Sequence, residues 1–383
     1  MVTEPSDNTR PSLARAALTT AHVVSLAALW AVTAARWIPP LRALHRIEVL
    51  LSSASLVLPH AYGALLLVSL PLCIGRGRKA RPSQVVTGLI VLSMVWLWGP
   101  GFVAWPARPR DDAISAQVLT WNVARLGEFC GRGECEEEEA EALRCVGEVL
   151  ATHKPDIVAL QEISLRRLEA LEEALSWRCQ LPGGQPAWSD YEGRGIAEHG
   201  GVAVCVPREG RWRLHSLQRP TLPPGWHYVF TEAEHIDSGA LLNFLSVHFK
   251  PVRLGEEEAR RLLTGELEGL RQAARSVGRA TVEQEGQASQ LLETTARFND
   301  PTVIAGDFNS TRDARIHHGL REQFIDTWER GGWGQGASRV FAGVPLRIDF
   351  IYASAGHFGV LGAKQDGAGC SDHRPVISTL QLR

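Results

Sequence analysis

Residues 302–309 read Thr-Val-Ile-Ala-Gly-Asp-Phe-Asn. The first four form a short apolar run that is too brief for a helix and suits a strand covered on both faces. Asp307 and Asn309 close it. Taken alone, Gly-Asp-Phe-Asn is an ordinary turn after a strand, where Asp and Asn are favoured. The stretch becomes decisive because the pattern recurs. Asn122 ends Gln117–Asn122 (QVLTWN), and Glu162 ends 156–162 (DIVALQE). His248 lies in 245–249 (LSVHF), and Asp349 in 347–352 (RIDFIY). Asp372 and His373 sit in 371–375 (SDHRP), just before the apolar run Val376–Leu380. Strand ends in α/β folds are where ligands bind, so this set is expected to converge on one pocket. Trp121 reads as core.

Between these runs the spacing predicts helices. Glu136–Thr152 carries Leu143, Val146 and Leu150 on one face, and its acidic opening suits a helix dipole. Glu256–Ser276 has Ala259, Leu263, Leu267 and Leu270 at helical spacing, and a separate helix is expected over Glu283–Arg297. Gly201–Val206 and Leu241–Phe249 read as further buried strands. The stretch 116–383 is long enough for one α/β domain, preceded by a polar linker at 106–115.

The net charge of −2 conceals a division. Residues 1–110 hold 11 Lys and Arg against 3 Asp and Glu, whereas 111–383 hold 29 against 39. An acidic domain is a poor general nucleic-acid binder, because phosphate contacts need Lys and Arg. Six of the seven cysteines lie in the acidic part, none at Cys-x-x-Cys spacing. That excludes the usual zinc and thioredoxin-type motifs. It leaves open both disulfides in an oxidising compartment and buried free thiols.

The first hundred residues read as membrane. Ala16–Ala35, Val49–Gly75 and Pro82–Ala107 are runs without charge, and a spanning helix needs about 20 apolar residues. Three transmembrane helices are expected at 16–35, 49–74 and 84–105, within an anchor covering 1–105. None of the runs shows the polar face of a helix in a soluble bundle. Lys and Arg counts in the connecting segments divide six to five, and the dense cluster Arg76–Arg81 places that loop in the cytoplasm. Three spans then put the acidic domain outside the cell membrane.

The chemistry of the recurring polar residues is coherent. Glu162, Asp307 and Asp349 offer carboxylates, and Asn122 and Asn309 offer amides, the oxygen ligands Mg²⁺ prefers. His248 and His373 can move protons near neutral pH. No Ser or Cys stands beside a base as a nucleophile. The set suits a metal-bound phosphate attacked by activated water.

The ordered motifs WN (121–122), LQE (160–162), VHF (247–249), AGDFN (305–309), RIDFI (347–351) and SDHRPV (371–376) resemble those of the endonuclease/exonuclease/phosphatase superfamily. That is the fold of DNase I, abasic-site endonucleases, inositol-polyphosphate 5-phosphatases and neutral sphingomyelinases. The resemblance implies a four-layer α/β sandwich of two mainly antiparallel sheets flanked by helices. It also implies phosphoester hydrolysis dependent on Mg²⁺ or Mn²⁺. By position, Glu162 would be the principal metal ligand with Asn122 beside it, and Asp372 would support the metal. Asp307 would activate the water and Asn309 would hold a phosphate oxygen. His373 would contact the scissile phosphate, with Asp349 fixing its ring, and His248 would protonate the leaving oxygen. Arg194, ahead of the strand at 201–206, would contact phosphate. With three spans in front, the layout resembles a membrane-anchored bacterial subgroup, the VanJ-type proteins. That subgroup implies hydrolysis of an undecaprenyl-type lipid pyrophosphate. The alternative is a membrane-tethered nuclease. No protein partner is expected.

Overall fold

The computed structural model describes residues 20–21, 23–31, 61–67, 84–93, 104–123, 136–163, 165–180, 201–215, 227–252, 261, 266–341, 344–367 and 370–383. The chain divides into two compact units. One comprises 1–100 with 255–278, and the other comprises 101–254 with 279–383.

In the first unit the described stretches within 20–31, 61–67 and 84–93 are helical. Leu26, Tyr62, Val86 and Ile90 are buried together. Trp30 Nε1 donates to Ser93 Oγ at 2.7 Å, and Ser93 Oγ donates to the Leu89 carbonyl. Val24, Leu67, Val85 and Leu92 face outward, each more than 60% exposed. Among the described residues no helix is long and apolar enough to cross a membrane. Most of the three expected spans lies outside the described residues.

The second unit is built on two six-stranded sheets and one hairpin. Its strands are β1 (Ser115–Asn122), β2 (Ile157–Ile163), β3 (Trp177–Gln180), β4 (Gly201–Pro207), β5 (Trp212–His215), β6 (His227–His235) and β7 (Leu241–His248). They continue with β8 (Thr302–Asp307), β9 (Phe324–Asp326), β10 (Arg339–Phe341), β11 (Val344–Leu346), β12 (Asp349–Ser354), β13 (Phe358–Gln365) and β14 (Val376–Leu382). The helices are α1 (Glu136–His153), α2 (Leu165–Leu175), α3 (Leu267–Thr295), α4 (Arg315–Gln323) and α5 (Thr327–Gly331).

One sheet runs β13-β14-β1-β2-β4-β3 and the other β5-β6-β7-β8-β12-β9. Each has one parallel pair, β1 with β2 and β7 with β8, and is otherwise antiparallel. A parallel pair needs a long crossover, which α1 and α3 supply. Alternation along the strands produces the layers. Val118, Val204, Phe244, Val303 and Ile351 pack between the sheets. Leu119, Trp121 and Leu160 pack outward with Val146 and Leu150 of α1. Leu245, Ile304 and Tyr352 pack outward with Leu291 of α3 and Leu320 of α4. The result is helices, sheet, sheet, helices, the expected four-layer sandwich.

One expectation changes, and one question left open is decided. The two helices predicted around Val277–Val282 are one helix, α3, because that stretch contains no proline and its backbone continues the helical turns. The cysteines pair as Cys145–Cys370 and Cys179–Cys205. The second bond joins directly opposed residues of β3 and β4. Cys73, Cys130 and Cys135 lie outside the described residues.

Candidate active site

The inward register of the strands carries the polar set to one edge of the sandwich. Ala116, Val118, Phe244, Ala305 and Ile351 face the space between the sheets. Counting by twos from these places Asn122, His248, Asp307 and Asp349 on the same inner faces. Asp307 lies directly opposite His248 on β7 and opposite Asp349 on β12. Asn122, His248 and Asp307 close their strands, whereas Asp349 and His373 stand at or before the starts of β12 and β14. Those strands run antiparallel to β8 and β1, so their first residues meet the others' last ones.

Glu162 needs a different device. Ala159 of β2 faces inward, so strict alternation would turn Glu162 towards the helix layer. The register shifts between Gln161 and Ile163, and Glu162 takes a left-handed φ of 56°. Such a bulge re-aims a side chain at a cost in backbone strain. It brings Glu162 Oε1 within 2.9 Å of Asn122 Nδ2, which also donates to Asp307 Oδ2 at 3.0 Å.

The rest of the site follows from Asp307 outward. Its Oδ1 accepts from the Asn309 backbone N–H at 2.8 Å, which holds Asn309 at a left-handed φ of 48°. Asn309 Nδ2 donates to the Phe249 carbonyl at 3.0 Å. His248 Nε2 stands 3.6 Å from Glu162 Oε1 and 3.7 Å from Asp307 Oδ2. His373 Nδ1 contacts Asp349 Oδ2 at 2.9 Å, and its Nε2 lies 3.9 Å from Asp307 Oδ2.

Several supports had no readable signal. Ser338 Oγ accepts from the backbone N–H groups of Ile348 and Asp349 and sets the start of β12. Gln284 of α3 donates to the carbonyls of Lys250 and Asn309, so this helix braces the site's backbone from outside the sheet. Trp121, expected as core and fully buried, also donates its indole N–H to the His373 carbonyl at 3.0 Å. Ser371 was visible inside Ser-Asp-His. Its Oγ donates to the Asn122 carbonyl and accepts from the His373 N–H.

One expected residue stands at the edge of the group. Asp372 is about half exposed and pairs with Arg339 at 2.5 Å, with its nearer oxygen 4.0 Å from His373 Nε2. One carboxylate oxygen is thus held by the guanidinium while the other stands near the imidazole. Arg194 lies outside the described residues.

The electrostatics follow from burial and crowding of like charges. Burial raises the pKa of Asp307, the neighbouring Asp349 raises it further, and His373, His248 and Asn122 oppose the rise. For His373, burial pushes the pKa down, but Asp349 and Asp307 outweigh it and hold it at about 9. A histidine raised from 6.5 to about 9 contributes stability that is fully present below pH 6.5 and lost as pH rises through 9. With divalent metal chelated, unfolding stability is therefore expected to fall by on the order of 3 kcal/mol over that window. Asp349→Asn should flatten the decline, as read from urea midpoints at pH 6, 7.5 and 9. An equally steep curve in the variant would remove Asp349 as the cause.

The residues fit a divalent cation. Two carboxylates, Glu162 and Asp307, converge on one amide nitrogen, and Asp349 Oδ1 is buried without a hydrogen-bond partner. Ligand atoms of Asp307, Asp349 and His373 lie within 4.8 Å of one another. The group holds more negative charge than its own donors satisfy, and oxygen donors with imidazole are what hard divalent ions accept. Turning the Asn122 amide over would replace its donor with an oxygen facing Glu162.

Comparison with known proteins agrees with this arrangement. Residues 119–373 match the model of the Endonuclease/Exonuclease/phosphatase family. The chain belongs to that family and is an enzyme that hydrolyses phosphoesters. Enzymes of the family generally depend on a divalent metal. No curated protein matches the sequence. Solved structures resembling it include the human Nocturnin catalytic domain with bound sulfate, at 16% identity and TM-score 0.49, over 73% of this chain and 96% of that one. A Bacteroides thetaiotaomicron endonuclease/exonuclease/phosphatase family protein matches at 17% and 0.49, over 71% and 96%. One from Bacteroides vulgatus matches at 16% and 0.47, over 70% and 100%.

Proposed function

We propose that the chain is a membrane-anchored, extracytoplasmic phosphohydrolase that uses Mg²⁺ or Mn²⁺ to cleave a lipid-linked phosphoester or pyrophosphate, of the undecaprenyl type. The observation carrying the lipid reading is an apolar rim beside the catalytic histidine. Arg339 of β10 bridges His373 and pairs with Asp372. The next two residues, Val340 and Phe341, are 52% and 46% exposed. Trp333 is 82% exposed, and its loop is tied to β11 by Gln335 donating to the Pro345 carbonyl. Large apolar groups left in water beside a site mark an interaction surface. The outward Val24, Leu67, Val85 and Leu92 support an anchor in lipid. The two disulfides support an oxidising compartment.

In this mechanism Glu162 and Asn122 hold the metal, which when bound offsets phosphate charge and acidifies water. Asp307, its basicity raised by burial, takes the proton of the attacking water. Asn309 keeps one amide hydrogen on Phe249 and presents the other to a phosphate oxygen. His373, kept protonated by Asp349, stabilises the charge developing on the phosphoryl oxygens. His248 protonates the departing oxygen.

The test is phosphate release by the purified protein from undecaprenyl pyrophosphate in vesicles, run beside plasmid DNA cleavage with Glu162→Gln as blank. Release from the lipid is expected, lost in EDTA and restored by Mg²⁺ or Mn²⁺. Val340→Ser/Phe341→Ser should lower turnover of the vesicle substrate about tenfold and leave that of a soluble phosphoester unchanged. Cleavage of DNA alone would replace the lipid reading with the tethered nuclease. Activity that survives chelation would sink the mechanism.

A further inference from the structure

We infer that the Cys145–Cys370 disulfide positions His373, so that turnover depends on this bond while substrate binding does not. The inference rests on the proposed hydrolysis.

His373 does not lie within a strand. It lies between β13, which ends at Gln365, and β14, which starts at Val376, and residues 368–369 of that connection lie outside the described residues. The connection's described backbone is held by scattered bonds (an isolated bridge from Arg339 to His373, the Arg374 N–H to the Ser338 carbonyl and the Asp366 N–H to the Pro375 carbonyl), and a connection outside the strands belongs to the more easily opened part of a fold. Its first half is nevertheless pinned to α1 at two points. At the start Asp366 pairs with His153 in the last turn of the helix. Midway along, Cys370 is bonded to Cys145, with Cα atoms 6.1 Å apart. Cys370 also packs against the apolar layer between α1 and the first sheet.

From Cys370 the constraint passes directly into the site. The next residue, Ser371, donates to the Asn122 carbonyl at 2.7 Å and accepts the His373 N–H at 3.1 Å. One residue beyond His373, the Arg374 N–H reaches the Ser338 carbonyl at 2.7 Å, and Ser338 in turn holds the backbone of Asp349. The bond therefore fixes the first of a short series of contacts that set the imidazole against Asp349 and Asp307. The helix it is fixed to is itself seated by Val146 and Leu150. Freed of the bond, the loop retains hydrogen bonds that close only when its backbone is already in place. The second disulfide, between β3 and β4, makes no such connection. It lies at the far edge of the first sheet, three and four strands from β14.

The two bonds permit a controlled test on the full chain. Cys145→Ala/Cys370→Ala and Cys179→Ala/Cys205→Ala each remove one disulfide and should both lower the melting temperature. Hydrolysis of bis(p-nitrophenyl) phosphate with saturating Mg²⁺ separates them. The first variant should lose roughly tenfold to a hundredfold in kcat with KM unchanged, as expected for a misplaced catalytic group. The second should keep the wild-type kcat. Amide hydrogen exchange over Asp366–Arg374 should accelerate in the first variant only. If the first variant does not fold, the folded wild type is reduced instead. A dithiol delivers two electrons and two protons to the Sγ–Sγ bond, giving two thiols and its own cyclic disulfide. kcat should then fall, and it should return on reoxidation. Unchanged exchange in the loop overturns the inference whatever the activity. So does faster exchange with kcat intact. A wild type inert towards every phosphoester would instead refute the proposed hydrolysis, and loop exchange would still report whether the bond holds His373 in place.

Discussion

His373→Gln is expected to lower kcat for phosphate release by about 10³-fold or more. The imidazole is buried between two carboxylates, 2.9 Å from Asp349 and 3.9 Å from Asp307. In the proposed mechanism it is the protonated side chain that faces the phosphate. Gln keeps similar volume and removes the charge. The substitution also strands Asp349, whose Oδ1 already lacks a hydrogen-bond partner and whose Oδ2 loses its own. An uncompensated buried carboxylate costs about 3–5 kcal/mol. The single variant should therefore be both inactive and less stable. His373→Gln/Asp349→Asn should regain most of the stability and none of the activity. Urea midpoints and kcat on the same preparations check this. Recovery of turnover in the double variant, or a single variant within tenfold of wild type, would show that His373 takes no part in the chemistry.

Gly306→Ala should be the most damaging small substitution in the second unit. A Cβ at Gly306 would lie 1.9 Å from the Val247 carbonyl oxygen, across the parallel pair β7 and β8. Backbone cannot yield as a flexible side chain does, so the strands must part. The expected loss is about 3 kcal/mol or more. Activity should fall as well, since the same pair sets His248 opposite Asp307. Gly286→Ala provides the contrast. It lies inside α3 with open space where its Cβ would be, and it should stabilise by about 0.5–1 kcal/mol. A Gly306→Ala midpoint equal to wild type would mean that the strands are not packed this closely.

Much of the fold was legible because its signals are local. Each central strand is a continuous apolar run, as expected when both faces are covered, and β1, β2, β4, β7, β8, β12 and β14 were all located within a few residues. The strands β3, β5, β6, β9, β10, β11 and β13 were not read. Each is short, half-polar or at a sheet edge, where one face meets solvent and the pattern weakens. The site residues were legible for the same reason as the central strands: a polar group at either end of an apolar run stands out. Asp372 passed the same test and then paired with Arg339 at the rim, because motif membership does not say which way a loop residue turns.

By itself, the sequence determined which polar residues gather at one edge of the sandwich, which central strands hold most of them and how charge divides along the chain. These are properties of short windows, decided by apolar period and residue type. The tertiary structure alone decided which strands run antiparallel, and so why Asp349 and His373 arrive from strand starts. It decided that a bulge with a left-handed φ turns Glu162 inward. It also chose Cys370 as the partner of Cys145, 225 residues away, and Gln284 as a brace for Asn309. Those outcomes depend on the register between segments far apart in the chain. Register is set by how whole faces pack, a quantity no short window contains.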